Sequence, residues 1–222
     1  GVIVPWQMYQ QFGDINILRD FYDNMVKFIE FEVSAAGDDW LKEGGWTGDW
    51  LATDKCSTQL TDTAYCIYAC DLMAKIADIL GKPEDAATFQ TYANNFRNAW
   101  CNQFVTEEGT LTSDGNNNTQ TAYAMALQFN IIPDELRESF ANQLVEKIKA
   151  NGYRLSTGFL GVSYLNPVLT DSGHGDVAFR LLEQTEYPSW IYPILQGATT
   201  IWERWNSYTK ESGFGDVSMN SF

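Results

Sequence analysis

Three stretches of the sequence gather the residue types that hold and cleave hydroxyl-rich molecules. The loop Glu43-Gly-Gly-Trp-Thr-Gly-Asp-Trp50 packs two Trp, two carboxylates and three Gly into eight residues. Glycine lets a backbone approach a ligand closely, an indole offers a flat apolar face to the C–H face of a pyranose, and carboxylates accept hydrogen bonds from hydroxyls. The competing reading is a structural loop with its indoles in the core. The second stretch is Thr185-Glu-Tyr-Pro-Ser-Trp-Ile-Tyr192, followed by Gln196-Gly-Ala-Thr-Thr-Ile-Trp-Glu-Arg-Trp205. Glu203 falls between Trp202 and Arg204, near the end of an otherwise apolar helix expected over about 194–205. A carboxylate there is costly to desolvate unless it is paired or poised for proton transfer. A salt bridge to Arg204 or Arg180 and a catalytic role both satisfy that condition. The third stretch, Gln120-Thr-Ala-Tyr123, is a polar opening to an apolar helix, either an N-terminal cap or a substrate contact.

Other chemistries lack their residues. The only histidine, His174, stands in the polar turn Asp171-Ser-Gly-His-Gly-Asp176 with no G-x-S-x-G elbow, so a Ser-His-Asp hydrolase is disfavoured and His174 reads as a loop or helix-start residue. The four cysteines, Cys56, Cys66, Cys70 and Cys101, lack zinc-ligand spacing. Cys66 and Cys70, four apart on a helix, sit about 5–6 Å apart at Cβ, too far for a disulfide. They read as small buried side chains. No metal or other cofactor is expected, and Asp114-Gly-Asn-Asn-Asn118 reads as a turn rather than a Ca²⁺ loop. With 14 Lys+Arg against 29 Asp+Glu the formal charge is −15, which argues against nucleic-acid and anionic-membrane partners. No apolar run is long enough to span a bilayer. The first residues, Gly-Val-Ile-Val-Pro-Trp, lack the charged and apolar regions of a signal peptide and an initiator Met, so an excised piece is expected.

The elements that must position these residues are helices. Apolar residues recur at Leu18, Phe21, Tyr22, Met25 and Ile29, at Tyr65, Tyr68, Leu72, Ile76 and Ile79, and at Phe89, Tyr92, Phe96, Trp100 and Phe104. Those steps of three and four predict helices over about 14–33, 58–80 and 83–104. Pro83 suits the first turn of the third, where its missing N–H costs nothing. A polar loop over 107–118 holds a short hairpin near Thr110-Leu111. Helices are expected over 119–129 and from Pro133 to Asn151-Gly152, then a Gly-rich turn over 156–161, then helices over about 176–184 and 194–205. That makes seven or eight helices and no period-2 strand. The fold class is all-α. Short joints favour an α/α toroid of helical hairpins, with the long Trp-, Gly- and Asp-bearing loops at one working end. No 34- or 40-residue repeat marks a solenoid.

Six motifs in order resemble one family: Val-Pro-Trp-Gln-Met-Tyr (4–9), Gly-Asp-Trp-Leu (48–51), Gln-Thr-Ala-Tyr-Ala (120–124), Ser-Thr-Gly-Phe-Leu-Gly (156–161), Thr-Glu-Tyr-Pro-Ser-Trp (185–190) and Gly-Ala-Thr-Thr-Ile-Trp-Glu-Arg-Trp (197–205). Together they resemble the catalytic domain of the bacterial α-L-rhamnosidases of glycoside hydrolase family 78, over essentially the whole chain. The resemblance implies a six-hairpin ring, incomplete here, with residues 1–222 a single partial catalytic domain from its middle and late part. It implies hydrolysis of terminal α-L-rhamnose, from a glycoside or polysaccharide, with inversion. Glu203 matches the family's general base, Trp6 and Trp50 its pocket aromatics, and Asp49 and Gln120 are weaker matches to polar pocket residues. The general acid is expected upstream of residue 1. Gly45-Trp-Thr-Gly-Asp49 imitates the tail of the acid motif, but Glu43 stands one residue too close and no Arg precedes it. The chain stops at Met219-Asn-Ser-Phe222, before a segment that usually supplies a pocket His. The remaining segments of a parent protein are therefore expected partners, and the 222 residues alone are expected to be inactive. The compartment, cytoplasmic or periplasmic in a bacterium, is left open. The alternatives are a non-catalytic rhamnose-binding helical module, another α/α-toroid glycosidase, and a helical scaffold for protein partners.

Overall fold

The computed structural model describes residues 1–44 and 47–215. Gly45-Trp46, the middle of the first Trp-rich loop, and the terminal Met219-Asn-Ser-Phe222 lie outside the described residues. Ten α-helices run along the rest: α1 (Ile3–Phe12), α2 (Ile15–Asp20), α3 (Tyr22–Ala36), α4 (Thr58–Ile79), α5 (Pro83–Phe104), α6 (Gln120–Gln128), α7 (Arg137–Ala150), α8 (Phe159–Asp171), α9 (Gly175–Leu182) and α10 (Ile191–Leu195). A small antiparallel hairpin, β1 (Tyr208–Thr209) and β2 (Gly213–Phe214), follows.

Helix α4 pairs with α5, α6 with α7, and α8 with α9, forming three successive hairpins. Helix α6 also packs on α4 and on α8, while α1 packs on α4. Thus α1, α4, α6 and α8 form one continuous layer and α5, α7 and α9 a second layer behind it. Composition explains the division. Every residue of α6 from Gln120 to Leu127 is buried, as are thirteen of the twenty-two residues of α4. The second-layer helices α5 and α7 bury one face only, with Phe89, Phe96, Trp100 and Phe104 on α5 and Phe140, Leu144 and Ile148 on α7. Trp100 is fully buried, edge-on to Phe104, and its Nε1 donates to the Leu60 carbonyl at 3.1 Å. Arg97 on α5 bonds Asp71 on α4 at 2.6 Å and the Asn130 carbonyl at 3.1 Å, tying two hairpins together.

The long connections meet at one end. Ser57 N–H donates to Asn116 O at 3.2 Å, Asp54 N–H to Ser156 O at 3.2 Å, and Leu155 N–H to Pro188 O at 3.1 Å. These bonds join the segments that precede α4, α6, α8 and α10. The first three helices therefore start on one side of the layer, where Ser57 caps α4 and Thr119 caps α6.

Four sequence expectations need correction. The helix expected over 14–33 breaks at Phe21, whose φ of −101° and ψ of 2° end α2, and Phe21 is exposed while Leu18, Tyr22, Met25 and Ile29 are buried. No Gly or Pro marks that break, so packing sets it. Helices α1 and α8 went unpredicted, because Pro5 and Pro167 interrupt their patterns. Pro5 lies in a first turn, where no N–H is needed, and α8 accommodates Pro167 internally. The helix expected over 194–205 ends at Leu195. Gly197, at φ 87°, turns the chain, and the Ala198 N–H closes back on Pro193 O in a Schellman-type stop. Two short strands exist where none were expected.

The cysteines are free thiols. Burial pushes both Cys56 and Cys66 up to about 12. At pH 8 both therefore stay protonated, the unreactive form of a thiol. Iodoacetamide treatment of the native protein at that pH is expected to leave Cys56 and Cys66 unmodified by peptide mass spectrometry, and to modify both in denaturant. Labelling of the native state would show that this core opens.

Candidate active site

Helix α8 has no capping side chain of its own at Gly158. Its first four N–H groups have no intrahelical acceptor and need partners from elsewhere. The dipeptide Asp49-Trp50 supplies all of them. Gly158 N–H donates to Asp49 Oδ2 at 2.8 Å, and Leu160 and Gly161 donate to Asp49 Oδ1 at 2.7 and 3.4 Å. Phe159 N–H donates to the Trp50 carbonyl at 3.0 Å. The Thr121 hydroxyl, from α6, donates to Asp49 Oδ2. A carboxylate at a helix N-terminus is favoured by the partial positive charge there. Asp49 as a whole is 4% exposed.

This arrangement carries the Trp50 side chain outward, 43% exposed, onto a cavity of about 180 Å³. Its other walls are Leu51, Gly158, Phe159, Val162, Trp190 and residues 201–205. Trp190 and Trp205 meet edge to face at 6.1 Å, and Trp205 Nε1 donates to the Thr157 carbonyl at 2.8 Å, so the far wall is anchored to the segment that leads into α8. Glu203 is half-buried on that wall, in irregular chain after α10 rather than in a helix. Among the described residues it forms no ion pair, with Arg204 or Arg180 or otherwise. The Arg180 guanidinium instead lies 3.7 Å over the Tyr153 ring. Glu203 is also the only carboxylate among the described residues lining this cavity.

The sequence-predicted site residues separate accordingly. Trp50 and Glu203, from motifs 150 residues apart in the chain, share one cavity. Trp6 sits on α1, half-buried against Tyr9, and does not line it. Asp49 is behind the wall, with its oxygens spent on Thr121 and α8. Gln120 is buried too. Its Nε2 donates to Arg154 O and its Oε1 accepts from Ser156 N–H, both at 3.0 Å, so it ties down the 151–158 segment. Sequence reading did not single out Trp190, Trp202 and Trp205, although their cluster was visible. Composition flags a Trp-rich segment but not which indole faces the open space. Clefts of about 460 and 670 Å³ lie elsewhere. The first has no indole, and in the second the Trp40 ring turns into the core against Tyr92 and Phe96. Among the described residues no group of three or more His, Cys, Asp or Glu could hold a metal ion.

Comparison with known proteins gives a consistent answer. The family model described as bacterial alpha-L-rhamnosidase 6 hairpin glycosidase domain matches residues 1–222. An alpha-L-rhamnosidase of Streptomyces avermitilis is 42% identical over 223 residues, covering 100% of this chain and 21% of that protein. One from Formosa agariphila is 38% identical, covering 99% of this chain and 24% of its own. The crystal structure of the Streptomyces avermitilis enzyme complexed with L-rhamnose superposes with a TM-score of 0.91 at 41% identity, covering 99% of this chain and 21% of that one. The chain thus spans between a fifth and a quarter of the length of these relatives.

Proposed function

Because this chain belongs to the family of bacterial α-L-rhamnosidase six-hairpin glycosidase domains, we propose that the protein containing it hydrolyses terminal α-L-rhamnose from glycosides with inversion, and that Glu203 is the general base. The observation that carries this reading is the meeting of Trp50 and Glu203 in one indole-walled cavity. In the proposed reaction Glu203 takes a proton from water as the water oxygen bonds to the anomeric carbon. A carboxylic acid on the opposite side of the sugar protonates the departing glycosidic oxygen. Inverting enzymes hold such carboxyls about 6.5–9.5 Å apart, leaving room for the water. On the family resemblance, that acid is proposed to come from the parent protein's other segments. The 222 residues alone are accordingly expected to cleave an aryl α-L-rhamnoside poorly or not at all. Robust turnover by them would move the acid to Glu43.

Trp50 is proposed to stack on the sugar, and Asp49 and Gln120 to shape the cavity without touching substrate. Trp6 stays a proposed contact on the family resemblance only. Helix α1 exposes Val4, Met8 and Phe12 along one stripe, and α9 exposes Phe179 and Leu182. These faces are proposed to pack against the parent protein's other hairpins in a closed ring. Trp50→Ala in the parent is expected to raise KM about 3–12-fold, the worth of one aromatic face, with a smaller change in kcat. The test of the whole reading is a panel of aryl glycosides given to the parent protein. Selective cleavage of the α-L-rhamnoside, with the β-anomer released first by NMR, is expected. Release of the α-anomer first would sink inversion, and tight rhamnose binding without cleavage would make the chain part of a lectin-like module.

A further inference from the structure

We propose that Asp49 is the positioning residue of this cavity: its buried carboxylate clamps the Trp50 backbone to the start of α8 and acts on the sugar only through the walls it holds in place. The proposal rests on reading the cavity as a rhamnoside site. The geometry concentrates on one side chain. Asp49 accepts from Thr121 on α6 and from Gly158, Leu160 and Gly161 at the head of α8, joining residues 72 to 112 apart in sequence. Among the described residues it has no ion-pair partner, so backbone and hydroxyl donors balance its charge. Trp50 is pinned on both sides of its Cα, by its N–H to Gly48 O and by its carbonyl from Phe159 N–H, each at 3.0 Å. Of the residues so held, Trp50, Gly158 and Phe159 line the cavity. Asp49 therefore sets the indole and the facing helix end as one unit.

The glycines make this approach possible. A Cβ on Gly158 would stand 2.1 Å from Trp50 O and 2.6 Å from Ala52 N, and one on Gly161 would stand 2.4 Å from Thr121 Oγ1. The carboxylate has no uncharged equivalent here. Both of its oxygens face N–H donors, so the amide nitrogen of an asparagine would oppose a donor whichever way it turned. Asp49→Asn is nearly isosteric, yet it replaces an acceptor with a donor inside the wall.

The test is a double-mutant cycle in the full-length parent, assayed on an aryl α-L-rhamnoside well below its unfolding temperature. Asp49→Asn is expected to raise KM about tenfold, with a smaller effect on kcat, and to add little in a Trp50→Ala background. An equal factor in both backgrounds, or an unchanged KM with only a lowered melting temperature, overturns the proposal. If Asp49→Asn does not fold, Thr121→Val decides by the same cycle, and Thr121→Ser, which keeps the hydroxyl, is expected to recover most of what Thr121→Val loses. A second readout does not depend on the reaction. In protein labelled with 5-fluorotryptophan, the ¹⁹F resonance of Trp50, identified by its disappearance in Trp50→Ala, is expected to move in Asp49→Asn or Thr121→Val. If the parent cleaves no rhamnoside, the functional reading fails, while a moved Trp50 resonance still supports the clamp and an unmoved one overturns it.

Discussion

Replacing Glu203 by Gln in the parent protein is expected to lower kcat about 10²–10⁴-fold, the range that general acid–base catalysis contributes. The change preserves size and hydrogen-bonding capacity but removes the carboxylate proposed to accept the proton from water. That loss corresponds to about 3–5 kcal/mol of transition-state stabilisation. KM should move much less, because the indole walls of Trp50, Trp190, Trp202 and Trp205 remain. Stopped assays over a range of substrate concentrations measure both effects. Turnover within a few-fold of normal would remove Glu203 from the chemistry and leave it as a wall residue.

The second large effect concerns stability. Trp100→Ala is expected to cost about 3–5 kcal/mol, as deletion of a large buried aromatic does when its surroundings relax only partly. Trp100 is 0% exposed, meets Phe104 at 5.5 Å between ring centroids, and reaches across to α4 through the Leu60 carbonyl. Helices α4 and α5 form the most extensive pairing in the fold, so the loss falls on the hairpin behind the Trp50 loop. A substantially lower thermal unfolding midpoint of the parent's helical signal is the measurement. Trp100→Phe, which keeps most of the packing and gives up the indole hydrogen bond, should cost about 1 kcal/mol. Equal midpoints for the alanine variant and the natural protein would show that this hairpin is not what holds the domain.

Much of this was legible in the residues, for identifiable reasons. Long helices with a clear apolar stripe, α4 and α5, matched their patterns within a residue, because many residues agree on one face. His174 stands at the N-cap of α9, as a Gly-flanked polar turn foretells. Helix α8 was illegible because Pro167 interrupts its pattern and because its start is capped by a carboxylate 109 positions earlier in the chain, which no local window contains. Asp49 and Gln120 likewise bond backbone groups of segments distant in the chain. Polar side chains in Gly-rich motifs look available for ligands until the backbone groups that claim them come into view. Glu203 shows the converse, since a carboxylate between Trp202 and Arg204 stood out in the sequence while its setting did not. The Schellman-type stop at Gly197 takes it out of the expected helix and leaves it on a loop facing Trp50.

The bonding of Asp49 and Trp50 to the head of α8 also bears on how the chain is made. A ribosome that has delivered the first two hairpins has already exposed the Asp49 carboxylate, but none of the three backbone donors that bind it. The indole gains its fixed bearing only when Gly158 to Gly161 leave the exit tunnel, and the opposite wall arrives some forty residues later. A nascent polypeptide halted between those points would be richly helical and yet lack the proposed site.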